Sequence, residues 1–150
     1  RELFAAQIEN ANRWGLPVII HSRAADELLL EVLDSHRPEN GGIMHCYSGG
    51  YETAARCIDH GLLISFAGNI TFKKSDELRE VARRIPAESI LAETDSPFLS
   101  PEPLRGKPNH PGRVGLVYSS IAECRGMETA ELVETIGENY GRLFGNTSTG

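Results

Sequence analysis

Apolar residues recur along this chain in two alternating rhythms. Phe4, Ile8, Ala11 and Trp14 follow helical spacing, and Gly15 then offers a helix stop. Pro17 opens a short continuous apolar run over residues 18–20. A run this short, bounded by glycine and proline, predicts a buried strand. Ala25, Leu28, Leu29, Val32 and Leu33 make the next helical face. Gly41 and Gly42 break it, and Ile43 and Met44 begin a second strand. The spacing then predicts a helix over 51–60, a strand over 62–66, a helix over 75–84 and a strand over 90–93. A proline-rich stretch over 97–111 has no periodicity and is read as a loop. A helix within 112–124 and another bearing Leu132, Val133, Ile136, Tyr140 and Leu143 complete the pattern.

Alternating helix and apolar strand is the pattern of a parallel α/β sheet. No glycine-rich dinucleotide loop follows the first strand and no Walker sequence occurs, so folds built around a nucleotide cofactor have no support. A (β/α) barrel fits better. Barrels gather their chemistry at the C-terminal ends of strands. His21, His45 and Asp95 fall at such ends here.

Those three residues suit a divalent ion: histidine supplies a neutral imidazole nitrogen and aspartate a hard anionic oxygen. They are far apart in sequence, but adjacent parallel strands bring their ends together. Glu93 shares strand parity with Asp95 and lies one layer deeper. Either a cation such as Arg23 pairs it, or it orients a metal ligand, and the orienting role is the expectation. Cys46 directly follows His45, so alternation predicts that it points to the opposite side and shares no metal with it. Ser48-Gly49-Gly50 precedes a helix and is read as a plain turn in preference to a phosphate cradle. Arg105-Gly-Lys107 is the clearest basic cluster of the long loop. His36, His60 and His110 lie at helix ends or in loops and are read as solvated.

The chain has 150 residues, enough for one sizeable core, with an ordinary 40% hydrophobic and 24% charged content. Its net charge of −6 disfavours non-specific nucleic-acid binding, so work on a polyanion needs metal ions or a local basic patch. The three cysteines are odd in number and lack C-x-x-C spacing, which predicts reduced thiols in a cytoplasmic protein. No stretch approaches the roughly 20 apolar residues of a membrane span, and no signal peptide or lipidation signal is visible.

Val18-Ile-Ile-His-Ser-Arg23, Met44-His-Cys-Tyr-Ser-Gly49, Ile64-Ser-Phe-Ala-Gly68, Glu93-Thr-Asp-Ser-Pro97 and Arg105-Gly-Lys107 occur in one order. With Phe4-x-x-Gln7-Ile8 before them and Asn139-x-x-x-Leu143-Phe144 after them, they closely resemble the TatD family of metal-dependent deoxyribonucleases over nearly the whole chain. The resemblance implies an amidohydrolase-like (β/α)₈ barrel of the TIM type, holding up to two divalent ions (Mg, Mn or Zn). It implies that His21 and His45 bind one ion. It implies that Asp95 binds the other and orients or deprotonates the attacking water. It also implies a DNA substrate, often cut from the 3′ end of a single strand, with Arg23, Arg105 and Lys107 as phosphate contacts. The chain departs from the family in having no His-x-His pair, and the bridging glutamate of the family's fourth strand is missing. It also reads Asn109-His-Pro111 where many relatives carry a central Glu. It begins with Arg1, and a complete barrel needs about 250 residues. The expectation is therefore a single partial barrel domain over 1–150, the C-terminal half of the fold with strands five to eight. Its open strand edges predict self-association or pairing with the missing N-terminal half. The rival readings are another binuclear amidohydrolase acting on a small ester, amide or lactone, and a non-catalytic half-barrel assembly module.

Overall fold

The computed structural model describes residues 1–145. The four apolar runs become strands β1 (Val18–His21), β2 (Gly42–His45), β3 (Leu62–Phe66) and β4 (Ile90–Ala92). They lie side by side in chain order, every neighbouring pair parallel. Helices α1 (Glu2–Arg13), α2 (Asp26–Ser35), α3 (Tyr51–Asp59) and α4 (Asp76–Arg84) alternate with them, and α5 (Val114–Arg125) and α6 (Thr129–Phe144) follow the last strand. This is the α/β architecture of parallel strands and flanking helices that the periodicity predicts. Among the described residues no helix is long and apolar enough to cross a membrane.

Register decides what each face of the sheet carries. Ile20, Met44, Ile64 and Ile90 align across the four strands. All four are buried and belong to one cluster with helix residues such as Ile8, Leu29, Leu33, Val81, Ile121 and Leu132. Each such side chain contributes roughly 1.5–3 kcal/mol by leaving water. The alternate positions face the other way. Ile19, Ile43, Ser65 and Leu91 line a cavity of about 470 Å³, and His45 and Glu93 lie at the same wall. Ile19, on the edge strand, is 68% exposed.

Glycine is required at two close approaches. A Cβ on Gly42 would meet the Val18 carbonyl oxygen at 2.4 Å, where β1 and β2 pair. A Cβ on Gly68 would meet the Leu99 carbonyl oxygen at 1.8 Å, so the turn after β3 docks on the loop after β4 only without a side chain. Buried Asn139 on α6 donates to the carbonyls of Ala87 (2.8 Å) and Ile90 (2.9 Å), tying the last helix to the start of β4. Arg125 does similar work for the end of α4, donating to Ala82 (2.7 Å) and Ile85 (2.9 Å).

Three sequence expectations need correction. Trp14 is 75% exposed because it is the residue past the end of α1, beyond the turn that meets the core. Val133 and Tyr140 lie on the expected helical face but are 47% and 57% exposed, beside the open cavity. The last strand ends at Ala92, although the Glu93 N–H still donates to the Phe66 carbonyl at 2.9 Å.

Candidate metal centre

His21 pairs with His45 in the β1–β2 register, so the two imidazoles stand side by side, with ring centroids 5.8 Å apart and planes tilted by 44°. Glu93 arrives from the far side. Its carboxylate crosses over β3 to reach β2, and the β3 residue lining that path is the small Ser65. One oxygen, Oε2, meets His45 Nδ1 at 2.6 Å, and the other accepts the Cys46 backbone N–H at 2.7 Å. A carboxylate at Nδ1 fixes the proton there and turns Nε2 into a lone-pair donor. That free nitrogen faces Asp95, with Nε2 and Oδ1 3.5 Å apart.

The 3.5 Å separation is long for a hydrogen bond. It suits two donors around one ion: with metal bonds of 2.0–2.1 Å, tetrahedral neighbours stand about 3.3 Å apart. His45 and Asp95 therefore fit one edge of a divalent-metal shell. The described residues do not close the shell: no three of their His, Cys, Asp or Glu side chains are grouped so as to hold an ion.

Two residues at these strand ends take left-handed backbone, Cys46 with φ 49° and Asp95 with φ 51°. Such a conformation costs a non-glycine residue roughly 1–2 kcal/mol. It also breaks strand alternation, so Cys46 does not point away from the acids as alternation predicts. Its thiol lies against the acids. Burial first, then the charges of Asp95 and Glu93 and a hydrogen bond to Asp95, push the thiol pKa up to about 12. The Asp95 turn is locked by a residue that the periodicity does not single out. Buried Asn109 donates to the carbonyls of Thr94 (2.8 Å) and Phe98 (2.7 Å), and its N–H to that of Pro97 (3.0 Å). Only its place in a proline-rich loop hints at such a clasp.

The remaining predicted residues scatter. Arg23 does not pair with Glu93, whose two oxygens serve His45 and Cys46. It lies instead in the loop after β1, beside a second cavity that shares His45 as a wall. The guanidinium of Arg105 sits 4.1 Å from the centroid of the Phe72 ring, and Lys107 is exposed in the same loop. His60 is not solvated: its side chain is 17% exposed, and Nε2 lies 3.0 Å from Asp34 Oδ1.

A family model described as TatD related DNase matches residues 1–145. The chain belongs to this family. It is 42% identical over 145 residues to the uncharacterized metal-dependent hydrolase YabD of Bacillus subtilis, covering 96% of this chain and 57% of that protein. It is 38% identical over 145 residues to the uncharacterized metal-dependent hydrolase YcfH of Escherichia coli K12, covering 96% and 55%. Among solved structures, YJJV, a TatD homolog from Escherichia coli K12, superposes with a TM-score of 0.88 at 32% identity. That match covers 93% of this chain and 54% of the other. An uncharacterized amidohydrolase from Saccharomyces cerevisiae shares the fold, with a TM-score of 0.80 at 15% identity. The chain thus spans about half the length of the curated relatives it matches. Its four strands correspond to half of a TIM-type barrel, and both curated relatives are named as metal-dependent hydrolases.

Proposed function

We propose that this chain forms the C-terminal-half wall of a metal-dependent active site that hydrolyses DNA phosphodiester bonds, with the 3′ end of a single strand as substrate. The observation that carries the reading is the pose of His45. Its Nδ1 is committed to Glu93, and its Nε2 is left free toward Asp95. A structural histidine on a strand end has no need of that arrangement, whereas a metal ligand does.

A divalent ion, Mg, Mn or Zn, with up to two in the complete barrel, supplies Lewis acidity to the phosphoryl oxygen and acidifies water. His21 and His45 are the ligands offered to one ion; Asp95, whose Oδ1 reaches the edge of that shell 3.5 Å from His45 Nε2, is offered as well to the second ion beside it. Asp95 also orients the attacking water and takes its proton. Glu93 holds the His45 tautomer through the ring's far nitrogen. Arg23, Arg105 and Lys107 supply cations for phosphates, since the chain as a whole is acidic. Because only part of the shell comes from these residues, the complete site draws further ligands from a partner segment. The 68% exposure of Ile19 on the edge strand supports a covering partner: the missing N-terminal half or a second copy.

The test is incubation with end-labelled single-stranded DNA and Mg²⁺ or Mn²⁺, alongside a chelator arm and a His45→Ala variant. The chain by itself is expected to be catalytically incomplete, so shortening from the 3′ end, lost in both controls, is the expected result where a covering partner completes the shell. Turnover of a small aryl ester or a lactone with intact DNA would shift the reading to a small-molecule hydrolase. Inertness toward both, in a stable oligomer, would leave a non-catalytic assembly module.

A further inference from the structure

Away from the open cavity, two aromatic side chains among the described residues stand mostly in solvent: Trp14, 75% exposed, and Phe98, 68% exposed. Their positions differ. Trp14 ends α1 and precedes β1, so it lies at the N-terminal end of the sheet. Phe98 follows β4, at the end that carries His21, His45 and Asp95.

The backbone around Phe98 is held from both sides. Its N–H donates to the Asp95 carbonyl at 2.9 Å, closing a four-residue turn that starts at the candidate metal ligand. Its carbonyl accepts from buried Asn109 at 2.7 Å. The next residue, Leu99, takes left-handed backbone with φ 49°, and its carbonyl packs on Gly68 where a Cβ would not fit. Ser100 after it is buried. A backbone fixed this closely also fixes the Cα–Cβ direction, so the ring is held out to water by the loop. Keeping a phenyl ring in water forgoes what its burial would contribute. A side chain with two rotatable bonds on a rigid backbone loses little freedom on meeting a partner.

The surroundings say what that partner is. A turn of this kind keeps its first and last Cα atoms within about 7 Å, so the ring is anchored beside Asp95. Arg105 and Lys107 are exposed in the same loop, and Lys73 and Lys74 in the loop after β3. Phe72 links the two loops by carrying the Arg105 guanidinium at 4.1 Å. The acids of these loops, Glu93, Asp95 and Glu102, are each part-buried, so every fully exposed charge on them is positive. A bare aromatic ring among exposed cations suits a single strand of nucleic acid, whose bases stack while its backbone is attracted.

We propose that Phe98 is the stacking platform for the base flanking the scissile bond. The proposal rests on the phosphodiester reading above and adds a base contact to it. Stacking tolerates any base, so the platform places the strand end at Asp95 without selecting its sequence.

The experiment titrates the full chain, in Mg²⁺, into a short single-stranded oligonucleotide with 2-aminopurine at its 3′ end and phosphorothioate linkages that resist cleavage. Stacking quenches the emission of this base. The parent quenches it on binding. Phe98→Ala loses the quench and weakens binding about tenfold, and Phe98→Trp restores both. Trp14→Ala, at the far end of the sheet, changes neither. With an abasic 3′ end, the parent and Phe98→Ala bind alike. The variants keep the parent's circular dichroism, because the ring is exposed. Equal quenching and affinity in Phe98→Ala and the parent, or no quench by the parent, overturns the platform. So does a Phe98→Ala chain whose only change is a smaller sedimenting mass, which assigns the ring to an assembly contact. If unmodified DNA is still cleaved once a covering partner completes the shell, the nuclease reading survives that failure. Phe98-dependent quenching without any cleavage in the completed shell supports the platform and sinks the nuclease reading instead.

Discussion

Ile64 and Ile19 are the same residue in the same sheet. Ile64 is fully buried and Ile19 is 68% exposed. The difference follows the two faces. The helix-facing side reads Ile20, Met44, Ile64 and Ile90, apolar throughout and sealed. The opposite side begins with Ile19, Ile43 and Leu91 and turns ionisable toward the C-terminal strand ends, at His21, His45 and Glu93. One face is given over to stability. The other is open along β1, where Ile19 is exposed, although Ser65 and Leu91 on it are buried; it carries the chemistry. Substitutions on the first face should therefore unfold the chain, and those on the second should change binding with little change in stability.

The largest effect is expected at the sealed face. Ile64→Ala removes a fully buried side chain from an inner strand and should cost about 2–5 kcal/mol in urea unfolding. A loss below about 1 kcal/mol would mean that the helices close over the gap and that the face is less tightly packed than its burial indicates.

At the open face, Glu93→Gln should leave the urea midpoint nearly unchanged and weaken divalent-metal binding about 10–100-fold by calorimetry. An amide still offers one oxygen to the Cys46 N–H. Its NH₂ group, however, puts a donor where His45 Nδ1 now meets a carboxylate. Unchanged metal affinity would show that Glu93 is merely a strut between β2 and β4. A large loss of stability would place it with the sealed face instead.

The periodicity makes the sheet legible because buried parallel strands need short apolar runs and amphipathic helices need a repeat near 3.6. The strand ends were legible too, because His21, His45 and Asp95 interrupt those runs. What lies outside pattern reasoning is whatever depends on backbone departing from regular geometry. Cys46 turns toward Asp95 because its φ is 49°, which no alternation rule foresees. Asn109 clasps the Asp95 turn from a loop without period. Arg23 and Glu93 share parity with the site, yet Glu93 is bound to β2 while Arg23 lies beside a separate cavity, which parity alone does not distinguish.

The thiols extend the comparison, since one lies on each side. Cys57 in α3 is buried in the sealed core, and its pKa is pushed up to about 12, chiefly by burial and then by Asp26. Cys46, at the open site, is pushed to about 12 as well, by burial and by Asp95 and Glu93. Both thiols ionise in the unfolded chain near the ordinary cysteine value of 9.0. The folded state resists that ionisation, so its stability is fully present below pH 9 and declines as pH rises from about 9 toward 12. The urea midpoint should fall between pH 8 and pH 10.5, and part of the fall should vanish in Cys46→Ser. Native Cys46 should also alkylate slowly at pH 8.5. A flat midpoint, or alkylation as fast as in urea, would mean that the acids around Cys46 are screened by water.

The smallest effect on stability is expected at Ile19→Thr, and it is the sharpest probe of what covers the open face. Threonine keeps the β-branch that suits a strand, so the change isolates apolar surface. On a bare face it should alter urea stability by no more than about 0.5 kcal/mol at any protein concentration. If a second copy covers Ile19, the parent's unfolding midpoint should rise with protein concentration, because association stabilises only the folded state. The variant should lose that dependence and sediment as a smaller species. A parent whose mass and midpoint are both independent of concentration would remove self-association from the proposal. A segment like the N-terminal part of the relatives would then remain the proposed partner for this face, to be tested by supplying that part of such a relative as a separate chain.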